Sequence, residues 1–185
     1  MDRMIFITGG ARSGKSAFAE ATAKGFGDNI LYIATSVACD DEMRARILKH
    51  RERRPPTWET IEAHRDMSIH LKGRVSGKDA VLLDCATVMV TSIMLEECDD
   101  WDNIKPDGTD RVESKVLNEM AGLLSAIKES HAPFIIVANE VGLGVVPPYP
   151  MGRAFRDIGG RVNQMLAKEA DEVYFCVSGI PVKIK

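Results

Sequence analysis

The order of elements along this chain predicts an α/β domain built on a mainly parallel central sheet flanked by helices. Short, nearly all-apolar runs recur at 4–8, 30–35, 80–84 and 134–138, the pattern of strands buried on both faces. Stretches with helical spacing separate them. The clearest is 111–130, where Val112, Val116, Leu117, Met120, Leu123, Leu124 and Ile127 fall three or four residues apart. The third observation is length: 185 residues form one domain, 1–185, with strand and helix alternating through right-handed crossovers.

The elements follow in order. The strand at 4–8 runs into Gly9-Gly10, and a helix rich in alanine occupies 16–24 before Gly25 and Gly27. A second strand covers 30–35. Asp40 or Asp41 caps a helix over 41–53, which Pro55-Pro56 cannot continue. A short strand at 58–63 and a weak helix at 66–71 lead to the strand at 80–84 and a helix at 88–97. The polar stretch 99–110, with Pro106 and Gly108, reads as a loop or flexible insertion. The long helix 111–130, the strand 134–138, a loop at 142–150 and a helix at 151–170 follow. Two last strands, 172–178 and 182–185, turn around Gly179 and Pro181 and are expected to form an antiparallel edge.

Composition narrows the function classes. Apolar residues make up 45% and charged residues 28%, and the net charge of −3 leaves no global basic field for nucleic acid. Cys39, Cys85, Cys98 and Cys176 form no CxxC pair, so they read as reduced thiols rather than a zinc site. No run approaches the ~18 apolar residues of a membrane span, and the expectation is a cytoplasmic protein. Trp58, Trp101 and Tyr149 read as core or interface aromatics. A calcium loop over 103–113 is rejected because Lys105 and Pro106 stand at ligand or turn positions.

One segment carries a chemical signature. Gly9-Gly10-Ala11-Arg12-Ser13-Gly14-Lys15-Ser16 fits G-x-x-x-x-G-K-[ST] without mismatch, between a strand and a helix. The glycines let backbone N–H groups converge on phosphate oxygens at a helix N-terminus, whose dipole favours anions. Lys15 reaches the β- and γ-phosphates of ATP or GTP, and the Ser16 hydroxyl ligates Mg²⁺. Such a P-loop needs a metal-side carboxylate at the end of a neighbouring strand. Asp84 is the leading candidate and Glu140 the competitor.

The helix 41–54 holds Arg44, Arg46, Lys49, Arg51, Arg53 and Arg54 around His50. A solvated charged face explains this composition, and so does a triphosphate-binding surface carrying a nucleophilic imidazole. Crowded cations keep imidazole neutral and therefore nucleophilic near pH 7. His64, His70 and His131 lack such company and read as surface or core residues.

Several strings together resemble one family, the bifunctional adenosylcobinamide kinase/adenosylcobinamide-phosphate guanylyltransferases of cobalamin biosynthesis. They are the opening from Ile7 to Ser16, Tyr32-Ile33-Ala34-Thr35-Ser36, Asp41-Glu42-Met43, and Arg46-Ile47 with His50-Arg51 and Arg54-Pro55. Further on come Asn139-Glu140-Val141-Gly142, Arg153 with Phe155-Arg156-Asp157, Gly160-Arg161-Val162-Asn163-Gln164 and Ser178-Gly179-Ile180-Pro181. The matches span nearly the whole chain, although Ser92 stands where relatives often carry Asn.

The resemblance implies a RecA-like P-loop fold and a homotrimer. It implies that a nucleoside triphosphate phosphorylates adenosylcobinamide, and that GMP then passes from GTP through a guanylyl-histidine to adenosylcobinamide phosphate. His50 matches the guanylylated histidine. Family nucleotide contacts fall on Ala34, Thr35, Ser36, Arg51, Glu52, Arg53, Arg54, Glu62 and Asp84. The alternatives are a P-loop small-molecule kinase without guanylyl transfer and a P-loop switch or assembly ATPase.

Overall fold

The structure is a computed structural model that describes residues 3–36 and 55–185. The expected helix at 41–53, with His50 and the arginines around it, lies outside the described residues.

The apolar runs form strands as expected. β1 (Met4–Gly9), β2 (Ile30–Ala34), β4 (Ala80–Asp84) and β5 (Phe134–Asn139) are buried almost throughout. Between and beyond them lie α1 (Lys15–Lys24), β3 (Glu59–Glu62), α2 (Met67–Leu71), α3 (Ala86–Glu97) and α4 (Pro106–Lys128). The chain closes with α5 (Pro150–Glu169), β6 (Glu172–Val177) and β7 (Ile180–Lys183).

The described strands form one seven-stranded sheet in the order β3-β2-β4-β5-β1-β6-β7. Every pairing is parallel except β6 with β7, so the hairpin at the end of the chain makes the antiparallel edge that its Gly179 turn predicts. Because side chains alternate across a strand, each buried strand feeds two cores. Phe6, Leu31, Ile33, Val81, Leu83, Phe134 and Ile136 face the cluster shared with α3, α4 and α5. Ile5, Ile7, Ile30, Tyr32, Leu82, Ile135 and Val137 face a smaller cluster with Ala19 and Ala23 of α1 and with Trp58. The fully apolar strands are therefore a consequence of covering on both faces.

Two expectations change. Residues 106–110 are not a loop, because α4 begins at Pro106. Proline at the first helical position loses no intrahelical bond, and Asp107 in the first turn complements the helix dipole. Residues 99–105 are a loop as expected, anchored by Trp101, which is buried in the main core. The other correction concerns strand order. Asp84 does not end a strand next to β1; β5 lies between β4 and β1.

The parallel arrangement sets the site. It brings the C-terminal ends of β1 to β6 to one edge, where open α/β sheets hold their ligands.

Candidate nucleotide site

The phosphate loop joins the end of β1 to the start of α1, and its shape depends on close backbone approach. Gly9 has φ 150, and a Cβ there would stand 2.4 Å from the Cys176 carbonyl oxygen and 2.9 Å from Ser13 Oγ. Gly14 has φ 92, and its Cβ would meet the Gly179 Cα at 3.0 Å. The Gly179 N–H donates to the Ser13 carbonyl at 3.0 Å, so the turn between β6 and β7 backs the loop. The Ser178-Gly179 turn thus belongs to the architecture of the cradle.

At the N-terminus of α1, Gly14 supplies no side-chain cap, and the first turn contains no acidic residue. The leading N–H groups keep their donor capacity for an anion. Lys15 folds back over the loop. Its Nζ donates to the Gly10 carbonyl at 2.6 Å and approaches Ser13 Oγ at 3.4 Å, with the residue only 6% exposed. Burial pushes the ammonium below its ordinary pKa, against the opposing pull of Cys85, Asp84 and Cys176. Ser16 follows on the helix, partly exposed.

Across the edge, Ala34 is in register with both Glu62 and Asp84. Asp84 is partly exposed, and its Oδ2 accepts a hydrogen bond from the buried Tyr32 hydroxyl at 3.1 Å. Its Oδ1 accepts none from any described residue. The Thr35 hydroxyl accepts from the Cys85 N–H at 3.0 Å and donates to the Cys85 carbonyl at 2.7 Å. Cys85 itself is buried, and burial beside Asp84 pushes its thiol up to about 11, even though the Val88 and Thr87 amides and Lys15 pull the other way. Ser36 and the exposed Glu62 complete this side of the edge.

The competing carboxylate, Glu140, turns back on its own loop. Its Oε1 accepts the Gly142 N–H at 2.5 Å, while its backbone N–H donates to the Gly9 carbonyl at 2.9 Å. Asp84 is the carboxylate that Lys15 senses. The Ser16 hydroxyl and Asp84 Oδ1 are hard oxygen donors of the kind Mg²⁺ takes. That ion usually needs only one or two protein ligands beside phosphate and water. Gly9 to Ser16, Ala34, Thr35, Ser36, Glu62 and Asp84 therefore share one edge of the sheet. His50, Arg51, Glu52, Arg53 and Arg54 lie outside the described residues.

A family model described as cobinamide kinase / cobinamide phosphate guanyltransferase matches residues 5–184. The chain belongs to this family. The bifunctional adenosylcobalamin biosynthesis protein CobU of Escherichia coli is 46% identical over 184 residues, covering 98% of this chain and 99% of that one. The protein of the same name from Salmonella typhimurium is 44% identical over 187 residues, with 98% and 99% covered. Among solved structures, the RadB recombinase superposes with a TM-score of 0.51 at 16% identity, covering 94% of this chain and 74% of that one. The fold is RecA-like, as the resemblance implies.

Within this cobinamide kinase and guanyltransferase family member, several site residues have no motif to announce them. Tyr32 and Cys85 flank Asp84 by contact. Thr87 Oγ1 accepts the Asn139 N–H at 2.5 Å, and Asn163 donates to the Asn139 carbonyl at 3.1 Å, fixing the end of β5. Outside the strings that carry the family resemblance lie Cys85 and Thr87, whereas Tyr32, Asn139 and Asn163 fall inside them. Their contacts span 52 and 24 residues of chain, beyond the reach of any local pattern. His64 pairs with Glu96, which also accepts from Arg65 at 2.5 Å, away from the phosphate loop in sequence and in partners.

Proposed function

We propose that this chain carries both reactions of its family at one nucleotide site. The observation behind this reading is the convergence of phosphate loop, Asp84 and the end of β2 on one sheet edge, in a chain matched to the family from residue 5 to 184.

In the kinase step, ATP or GTP lies along the loop from Gly9 to Ser16. Backbone N–H groups and Lys15 neutralise its β- and γ-phosphates, and the aminopropanol hydroxyl of adenosylcobinamide attacks the γ-phosphorus. An O–P bond forms, the bond to the β–γ bridging oxygen breaks, nucleoside diphosphate leaves and the hydroxyl proton passes to solvent. Mg²⁺, held by Ser16 and Asp84, supplies charge neutralisation when bound. In the second step, an imidazole nitrogen of His50 attacks the α-phosphorus of GTP. A P–N bond forms, the bond from the α-phosphorus to the bridging oxygen breaks, and pyrophosphate leaves. A phosphate oxygen of adenosylcobinamide phosphate then attacks the same phosphorus. The P–N bond breaks, histidine is released and adenosylcobinamide-GDP forms. Arg51 and Arg54 suit bidentate contact with phosphate oxygens, while Glu52, Arg53, Ala34, Thr35, Ser36 and Glu62 line the nucleotide.

Incubation with α-labelled GTP tests this. Covalent label that vanishes in His50→Ala supports guanylyl transfer. Phosphorylation of cobinamide without protein label would leave a kinase alone. Nucleotide hydrolysis with no small-molecule acceptor would point to a switch or assembly ATPase.

The working assembly is proposed to be a homotrimer in the cytoplasm. The exposed apolar side chains of the terminal hairpin, Val177, Ile180, Val182 and Ile184, favour a subunit contact. Sedimentation at three times the 20.4 kDa chain mass is the expected result.

A further inference from the structure

The end of β2 does more than line the edge: it grips Asp84 from two sides. Tyr32 is 1% exposed, lies stacked against Trp58 with ring centroids 6.3 Å apart and planes 28° apart, and donates its hydroxyl to Asp84 Oδ2. Three residues later, Thr35 is equally buried, and its hydroxyl bridges the N–H and carbonyl of Cys85, the residue after Asp84. Between the two, Ala34 is paired in register with Asp84. Carboxylate and following backbone are thus anchored separately, the first to β2 and the second to the residue just after it. The Asp84 side chain is held by a buried, stacked phenol.

We infer that Tyr32 is a positioning residue for the metal-side carboxylate. By occupying Oδ2 it fixes the carboxylate plane and leaves Oδ1 as the oxygen presented to Mg²⁺ at the nucleotide. Thr35 sets the backbone on which that carboxylate stands. The inference rests on the reading of Asp84 as the metal-side group. A pinned oxygen ligand binds a hard cation without first losing side-chain freedom, and outer-shell hydrogen bonds of this kind are worth about tenfold or more in metal affinity.

The test uses the full-length protein and α,β-methylene GTP, which cannot guanylylate histidine. Its dissociation constant is measured by calorimetry in EDTA and again in saturating Mg²⁺, and the ratio is the gain due to the metal. Tyr32→Phe keeps the stacked ring and removes only the hydroxyl. The expected result is an affinity in EDTA within twofold of the wild type and a gain reduced about tenfold. An undiminished gain overturns the inference. So does an equal loss with and without Mg²⁺, because that marks a general structural role. Asp84→Asn separates the underlying reading. If it keeps the gain, Asp84 is not the metal-side group; if it loses the gain while Tyr32→Phe does not, only the positioning role fails. Should Tyr32→Phe not fold, Thr35→Val must lower the gain and Thr35→Ser restore it, and a gain unchanged in Thr35→Val overturns the inference.

Discussion

The Lys15 ammonium lies 2.6 Å from the carbonyl oxygen of Gly10, so the phosphate-binding cation also donates to its own loop. The same carbonyl accepts the Ser13 N–H at 3.3 Å. Lys15 therefore satisfies no acceptor that would otherwise be orphaned, and its burial carries a desolvation cost that the pull of Cys85, Asp84 and Cys176 offsets only in part.

This relationship predicts opposite effects on stability and binding. Lys15→Met should raise the stability of the nucleotide-free protein by about 1 kcal/mol, a few degrees in melting temperature. It should weaken triphosphate binding by about 2–3 kcal/mol, roughly 30- to 150-fold, through loss of charge-assisted hydrogen bonds. Thermal melts with and without nucleotide check both signs. A destabilised variant would contradict the account.

Gly9→Ala should damage the fold itself. Its Cβ would meet the Cys176 carbonyl at 2.4 Å, backbone that cannot rotate away, at a φ that L side chains rarely adopt. A cost of about 3 kcal/mol lowers the melting temperature by about 6–12 °C. Gly10→Ala, whose Cβ would meet nothing within 4 Å, is the control and should melt close to the wild type.

Thr87 supports the end of β5 from α3. Thr87→Val leaves the Asn139 N–H without its acceptor and should cost about 1–3 kcal/mol in denaturant unfolding. Thr87→Ser keeps the oxygen and should recover most of that loss.

Cys85 predicts an alkaline limb to the stability curve. Burial pushes its thiol from an ordinary 9.0 up to about 11 in the fold, so between these values the native state holds a proton that the unfolded state has lost. The contribution is fully present below pH 9 and disappears as pH rises through the native pKa; its upper bound is about 2–3 kcal/mol. Burial of Lys15 acts with the opposite sign, since an ammonium with a lowered pKa makes stability rise with pH. Comparison with Cys85→Ala isolates the thiol: between pH 8 and pH 10.5 the wild type should lose about 2 kcal/mol more than the variant.

The parts legible in the sequence share a physical basis. The phosphate loop depends on backbone conformations that Gly9 and Gly14 permit, and on a strand and helix directly beside it in the chain. The buried strands declare themselves because covering on both faces removes polar residues from every position. Misreadings arose where one residue type serves two purposes. Pro106 and Gly108 look like chain breakers, yet proline costs nothing at the start of α4, where no partner carbonyl awaits its missing N–H.

Sequence alone determined the family, the P-loop and the alternation of strand with helix, because each is written in local spacing or in strings of neighbouring residues. Tertiary structure alone decided that β5 separates Asp84 from β1, that the Gly179 turn backs the loop, and that Tyr32 holds Asp84 from 52 positions away. Strand pairing and side-chain contact join residues distant in the chain, and their order follows from packing the whole sheet between two cores rather than from the pattern within any one segment.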